Sequence, residues 1–541
     1  MTTIESFFTT ARRLGPRLCW TYGNREFSWE EAALAVRQMA RALIALGVKA
    51  GDCVNIAGPN RPEWLIADLG AIAAGAVPTP IYPTLTGEQA RYIARHSEAK
   101  VAVVGDAGQR DKLTGTQVHE FVLFDELEHF LRRGDPVPES EVDRRLAGLK
   151  AKSLGTLIYT SGTTGPPKAV MLSQENLAFA ALTGQRIAKT TAQDSVVSYL
   201  PLSHIAEQMI SIHAPAVSGS SLSFCDKLER VPEVLAQARP TIFFGVPRVW
   251  EKMQARLEEG LASAPPHRRA MIEWARKDWT HGVRGPLSGF LLGKLRQRLG
   301  LDRARFTVSG AAKIGAGTVE FFSSIGISVL DLWGMTESTA MGTCNLPGAW
   351  RVGTVGRPEE GVEIRIASDG EILTRGPHVF LGYFKDEPAT REAIDADGFL
   401  HTGDVGELDA EGYLRITDRK KDLLITSGGK NVSPQNIEVQ LGRIAGVAQA
   451  VVVGDARNYL GALIVPEAIA RAQDPSFIEH VGREIEKVNA QLARYETIKK
   501  FKVLPALFSI ESGELTPTLK LKRKVVSQKY AREIEELFAG Q

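Results

Sequence analysis

Cysteine is scarce in this sequence: four residues in 541, Cys19, Cys53, Cys225 and Cys344, with no Cys-x-x-Cys pair among them. That excludes a disulfide scaffold and a cysteine-rich zinc site, and it suits a reducing compartment. Charge of one sign is also missing. Lys and Arg total 65 against 63 Asp and Glu, a formal net charge of +2, so no nucleic-acid partner is expected. No run approaches the ~18 apolar residues that span a bilayer. Leu65 to Val77 is apolar but short, holds Asp68 and ends at Pro78, which reads as a buried helix. Met1 to Arg12 lacks a basic-then-apolar export pattern, so cytoplasmic is the default location. Asn431-Val432-Ser433 fits a glycosylation sequon and is read as accidental in that setting. Repeats and low-complexity tracts are absent.

What is present is ordinary globular composition, 44% hydrophobic and 24% charged, in a chain long enough for several domains of ~100–200 residues. Ser28 and Glu31 form a capping box ahead of a helix to Leu46, stopped by Gly47. A strand (Cys53 to Ala57), a helix (Pro62 to Ala74), a strand (Pro78 to Tyr82), a helix (Gly87 to His96) and a strand (Val101 to Val104) follow. This alternation predicts an α/β fold with largely parallel sheets. Four later apolar runs, Thr156–Tyr159, Thr241–Phe244, Phe306–Val308 and Ser328–Leu332, each lead into a segment that looks chemical. Ala264 to Arg269 reads as a surface turn. Beyond about Gly406 the texture changes to short strands, Glu407 to Thr417, then a charged stretch, Asp418 to Asp422. Val447–Val453 and Ala462–Val465 read as strands and Pro475–Tyr495 as a helix. The division expected is a large N-terminal α/β domain, 1–419, and a small C-terminal α+β domain, 420–541, with the charged stretch as linker.

The most informative segment is Thr160-Ser161-Gly162-Thr163-Thr164-Gly165-Pro166-Pro167-Lys168, placed after a strand. Small residues let backbone N–H groups approach an anion, hydroxyls add donors, and Lys168 adds charge, which is the mix a phosphate cradle needs. Lys168 follows proline and precedes Ala169, so this is not the usual NTPase loop.

That string resembles the signature of the AMP-forming acyl-CoA synthetases, a superfamily shared with luciferases and peptide-synthetase adenylation domains. Further segments match in order. Asp331-Leu332-Trp333-Gly334-Met335-Thr336-Glu337 resembles the adenine-and-metal motif, and Thr402-Gly403-Asp404 the ribose motif. Asp418 to Asp422 resembles the interdomain hinge, with Lys421 as pivot, and Ser427 to Asn431 the loop that approaches the thiol. The resemblance implies a large N-terminal domain with a mobile C-terminal one. It implies a two-step reaction using ATP, Mg²⁺ and CoA: a carboxylate attacks the α-phosphate, then a thiol attacks the acyl-adenylate.

On that basis Glu337 is the metal carboxylate, with Thr160 assisting through its hydroxyl. Thr336 contacts the α-phosphate. Trp333 offers a flat face to adenine and Gly310-Ala311 the opposite wall. Asp404 accepts from the ribose hydroxyls, aided by Arg419. Gly428 and Lys430 face CoA. The adenylation lysine is read as Lys520 by alignment from Thr516, with Lys522 as the fallback because Leu519 stands where the family has glycine.

Two segments resemble the long-chain branch: Tyr199 to Glu207, and Gly245 to Lys252. The resemblance makes Trp250 an acyl gate, with a large core residue as the other reading. His204 is placed either beside the carboxylate or in a structural role. The implied function is fatty acyl-CoA formation. The alternatives are a fatty acyl-AMP ligase loading a carrier protein, a CoA ligase for a medium-chain or aryl acid, and a non-catalytic nucleotide binder. Peripheral membrane contact and a homodimer are left open.

Overall fold

The computed structural model describes residues 1–160, 166–282, 285–427, 430–510, 512–516 and 520–539. Two compact units divide the chain, residues 1–363 with 374–400, and residues 364–373 with 401–541.

Local chemistry starts the first unit. Ser28 accepts from the Glu31 amide while the Glu31 carboxylate accepts from the Ser28 amide at 2.7 Å, closing the capping box over helix Trp29–Ala45. Helix Pro62–Ala73 begins with proline at its first position and is buried on every side, which is why its sequence is apolar all round. The strands between the helices form one sheet in the order Val77–Pro80, Cys53–Ala57, Val101–Val104, Glu120–Leu123, parallel throughout. A second sheet runs Ile242–Gly245, Phe306–Ser309, Val329–Trp333 in parallel and is extended by two short antiparallel strands. A third joins the hairpin Leu18–Tyr22/Arg25–Ser28 to the parallel strands Ser221–Phe224 and Ser195–Ser198.

Strand Leu154–Thr160 departs from the parallel rule. It pairs antiparallel with Lys168–Ser173, Thr160 standing opposite Lys168. The segment read as a phosphate cradle is therefore followed by a strand that pairs back on the one before it, and not directly by a helix.

Two boundaries differ from those expected. The turn expected over Ala264–Arg269 is only its first part, because helix Pro266–Thr280 starts at the second proline, whose fixed φ suits a helix start. The helix expected to reach Tyr495 is Pro475–Asn489. There the Asn489 side chain takes over the backbone of Ile498, accepting from its N–H at 2.8 Å and donating to its C=O at 2.9 Å, and turns lead into strand Ile498–Val503.

The second unit is built on two sheets. One runs Glu363–Ile366, Glu371–Arg375, Leu400–Leu408, Leu414–Arg419. The other pairs Val447–Val453 antiparallel with Leu460–Pro466, which pairs in parallel with Ile498–Val503. Alternation gives that sheet two apolar faces. Val452, Ala462 and Ile464 pack with Ile437, Val481 and Ile485 of the helices on one side. Val451, Val453, Leu463 and Val465 pack with Val526, Leu537 and Phe538 on the other.

Candidate active site

Three features of the first unit converge on Glu337. The carboxylate lies in a single 3₁₀ turn, Thr336–Ser338, and is buried. Its Oε1 accepts from the Tyr383 hydroxyl at 2.9 Å, and its backbone C=O accepts from the Phe380 amide at 2.9 Å. The Lys168 ammonium stands over the Tyr383 ring, 4.8 Å from the centroid. One tyrosine thus joins Lys168, the last residue of the first motif, to the carboxylate of the second. Burial and the Glu337 charge both push the Tyr383 hydroxyl above its usual range, so it remains a donor.

The turn around Glu337 is held from behind. Asn176 donates to the carbonyls of Pro377 and Val379 at 2.7 and 2.9 Å, and Thr339 donates to the His378 carbonyl at 2.7 Å. Thr339 and Ala340 both have positive φ, which folds the chain back onto Gly334, where a Cβ would lie 2.5 Å from the Ala340 carbonyl carbon. Glycine there is a steric requirement of the motif.

Gly310-Ala311 follow one strand and Trp333-Gly334 stand at the end of its parallel neighbour, with Ser309 paired to Asp331. Both segments therefore sit at the carboxyl ends of the sheet, where α/β sheets bind ligands. Trp333 is buried, and Gly342 packs close to its ring. Burial holds the Asp331 carboxyl well above the usual carboxylate range. The segment Tyr199–His204 is pinned by Asn60 on the Leu200 carbonyl (2.7 Å), Gln208 on the Leu202 carbonyl (3.0 Å) and the Tyr199 hydroxyl on the Phe244 carbonyl (2.9 Å). His204 caps the next helix, its Nδ1 accepting from the Ala206 amide at 3.2 Å. Trp250 is fully buried. Its indole N–H is shared between the carbonyls of Gly245 (3.1 Å) and Val308 (3.3 Å), and the ring meets Phe243 and Phe322 edge-on.

The second unit holds the other candidates. Asp404, buried on strand Leu400–Leu408, is in register with Arg419, whose Nε lies 3.3 Å from Asp404 Oδ1. Thr402 fixes the strand by donating to the Ile372 carbonyl at 2.6 Å and accepting from the Asp404 amide at 3.1 Å. Lys420 is bound to Asp369 (2.6 Å) and Glu371 (3.0 Å). Lys421 is exposed in the turn that follows. Lys430 is exposed; its amide donates to the Thr426 hydroxyl at 3.2 Å and its carbonyl accepts from the Thr426 amide at 3.0 Å. The Lys520 amide donates to the Thr516 hydroxyl at 3.0 Å, and its carbonyl accepts from the Thr516 amide at 2.8 Å. Lys522 stands at the N-terminal end of helix Arg523–Lys529 without a capping bond from its side chain. Below them Glu514 is fully buried and accepts from Lys529 (2.5 Å) and the Tyr530 hydroxyl (3.2 Å). Ser161, Gly162, Thr163, Thr164, Gly165 and Gly428 lie outside the described residues.

Residues 7–384 match the family of AMP-binding enzymes, and residues 421–541 match the AMP-binding enzyme C-terminal domain. The chain belongs to the AMP-binding enzyme family. Among curated relatives it is 37% identical to a long-chain-fatty-acid–CoA ligase, FadD15, of Mycobacterium bovis, over 94% of this chain and 91% of that one. It is 34% identical to a long-chain-fatty-acid–CoA ligase, ACSBG2, of Xenopus laevis, over 95% of this chain and 80% of that one. Among solved structures, ATP-bound MatB from Rhodopseudomonas palustris superposes with a TM-score of 0.77, at 25% identity, covering 98% of this chain and 99% of that one.

Within this AMP-binding enzyme, Tyr383, Asn176 and Glu514 escaped the reading of the sequence. Each acts through a fold contact far along the chain, Tyr383 to Glu337 and Asn176 to Pro377, or lies in a segment with no recognisable spacing. The one available signal was Tyr383 itself, a tyrosine between Gly382 and Phe384 at the end of an apolar run that begins at Val379.

Proposed function

We propose that this AMP-binding enzyme activates a long-chain fatty acid with ATP and transfers it to CoA, releasing pyrophosphate and AMP. The observation that carries this reading is the Lys168–Tyr383–Glu337 arrangement, in a chain similar along nearly its full length to long-chain-fatty-acid–CoA ligases.

In the first step a carboxylate oxygen bonds to the α-phosphorus, and the bond to the bridging oxygen breaks toward pyrophosphate. In the second the thiol sulfur bonds to the acyl carbon, loses its proton, and AMP leaves with the electron pair of the acyl–oxygen bond. A buried carboxylate with a hydroxyl donor on one oxygen keeps the other oxygen for a hard cation, and the Thr160 hydroxyl adds a second hard donor, so the residues present fit Mg²⁺. When bound, the ion neutralises charge on the phosphate oxygens. Thr336, beside Glu337, is assigned to the α-phosphate. Lys168 adds positive charge. Asp404, oriented by Thr402 and Arg419, accepts from the ribose hydroxyls. Trp333 and Gly310-Ala311 flank the base. Lys520 supplies charge to the attacking carboxylate and the α-phosphate, and Lys421 is the pivot that presents Gly428 and Lys430 to the thiol substrate. The working division is 1–419 and 420–541. Trp250 gates the acyl path only by giving up its two carbonyl partners, and His204 holds its segment in place.

ATP–pyrophosphate exchange tests the assignment of the lysine. Lys520→Ala is expected to lower exchange by ~10²–10³, the loss of one aimed charge donor, and to spare thioester formation from supplied acyl-AMP. Equal loss in both half-reactions, or the same effect from Lys522→Ala alone, contradicts it.

A further inference from the structure

Glu207 is a carboxylate buried among donors. It lies on the short helix Ile205–Gln208, and its Oε1 accepts from the hydroxyls of Ser198 at 2.7 Å and Ser211 at 2.5 Å. The backbone amides of Leu200 and Tyr199 bond the same carboxyl. Ser198, Tyr199 and Leu200 are consecutive, at the end of strand Ser195–Ser198, so the chain leaving the sheet turns around one buried charge. Asn60 braces that turn from another element, donating to the Ser198 hydroxyl at 2.9 Å as well as to the Leu200 carbonyl. Beyond Gln208 the helix widens to π geometry at Met209–His213, Ser211 included, a departure frequent at functional sites.

The turn is joined to the segment that holds Trp250. The Tyr199 ring stacks on Phe243, centroids 5.8 Å apart and planes 16° from parallel, and the Tyr199 hydroxyl bonds the Phe244 carbonyl. Phe243 meets the Trp250 ring edge-on at 5.2 Å. A line of direct contacts therefore runs from Glu207 through Tyr199 and Phe243 to Trp250. Removing the charge at its origin would leave two hydroxyls and two amides short of an acceptor.

On the reading of this chain as a fatty-acid-activating ligase, we infer that Glu207 is a positioning residue for the acyl substrate: it fixes the Tyr199–His204 turn so that Tyr199, Phe243 and Trp250 form one rigid wall of the acyl path. Glu207 acts through these neighbours. Glu207→Gln keeps the size of the side chain but turns one acceptor atom into a donor that faces other donors, which loosens the turn.

The test follows AMP formation by the full chain over saturated acids from octanoate to octadecanoate. In Glu207→Gln the ratio of kcat/KM for octadecanoate to that for octanoate is expected to fall about tenfold, with the ATP KM within about twofold of wild type. Loss of folded enzyme lowers turnover on every acid alike and leaves that ratio unchanged, so an unchanged ratio overturns the inference whatever the total activity. Tyr199→Phe, which removes the bond to the Phe244 carbonyl, should shift the ratio the same way, and the double variant should match Glu207→Gln alone; shifts that simply add overturn the line of contacts. If Glu207→Gln does not fold, Ser211→Ala, which keeps the carboxylate and removes one donor, should shift the ratio about threefold, and no shift overturns the inference. Hydrogen exchange separates this inference from the function it rests on. Without substrate, the Tyr199–His204 peptide should exchange about tenfold faster in the variant than in wild type, and equal exchange overturns the positioning. Wild type that activates none of these acids overturns the function and the acyl role with it, while faster exchange in the variant still supports the hold of Glu207 on its turn.

Discussion

Tyr383 is the residue on which most of the candidate chemistry of the first unit leans. Its hydroxyl orients Glu337 and its ring faces Lys168. Tyr383→Phe keeps the ring and removes only the hydrogen bond to a charged group, a loss worth about 1.5–3 kcal/mol. The expected result is a rise of roughly tenfold or more in the Mg²⁺ concentration for half-maximal AMP formation, with the fatty-acid KM little changed, read by titrating Mg²⁺ at saturating ATP. An unchanged Mg²⁺ dependence contradicts the positioning role. Glu514 is proposed to act on Lys520 in the same indirect way: its carboxylate holds Lys529 and Tyr530, and its carbonyl accepts from the Lys522 amide at 2.7 Å. Lys529 and Ser512 hold the Glu514 carboxyl down to about 2 against the cost of burial. Glu514→Gln keeps the shape and weakens the pair with Lys529, so adenylation should drop several-fold while thioester formation from acyl-AMP stays near wild type. Equal loss in both steps would show general misfolding.

Helices and strands show where burial works against charge. Asp68 sits in the fully buried helix Pro62–Ala73 with no hydrogen-bond partner for either carboxyl oxygen, and burial raises it to about 8. Glu207 is equally buried and is raised to about 7 by burial, although Ser198 and Ser211 donate to it. Unfolded, both carboxyls titrate near ~4. The native state therefore holds more protons from roughly pH 4 to 8, and stability falls as pH rises through that window. Asp68→Asn removes its share, so the variant should melt roughly 2–4 °C higher than wild type at pH 8 and show a shallower decline from pH 5 upward, followed by calorimetry. Identical pH profiles would show that Asp68 is already relieved by a partner. The elements themselves were legible where local chemistry decides. Ser28 and Glu31 announced their helix, and Cys53–Ala57, Val101–Val104 and Val447–Val453 announced their strands to the residue. The helix expected to reach Tyr495 was misread because a partner outside it decides its end: Asn489 stops it by bonding Ile498.

For the whole molecule, the family and its order of motifs were readable because phosphate and ribose recognition restrict residue type tightly. Glu337 lies in a short turn after one sheet and Asp404 on a strand paired with Arg419. Roles that depend on close packing were less legible. Trp250 was open between gate and core, and its two carbonyl contacts exist only once strands Ile242–Gly245 and Phe306–Ser309 lie side by side.

The most direct measurement is product analysis of the purified full chain with ATP, Mg²⁺ and CoA, over acids from acetate to octadecanoate plus benzoate. The expected result is stoichiometric AMP and acyl-CoA with turnover highest on the long-chain acids. AMP and thioester only from acetate or benzoate would contradict the long-chain assignment, accumulation of acyl-AMP without thioester would contradict CoA as acceptor, and no AMP from any acid would contradict carboxylate activation itself.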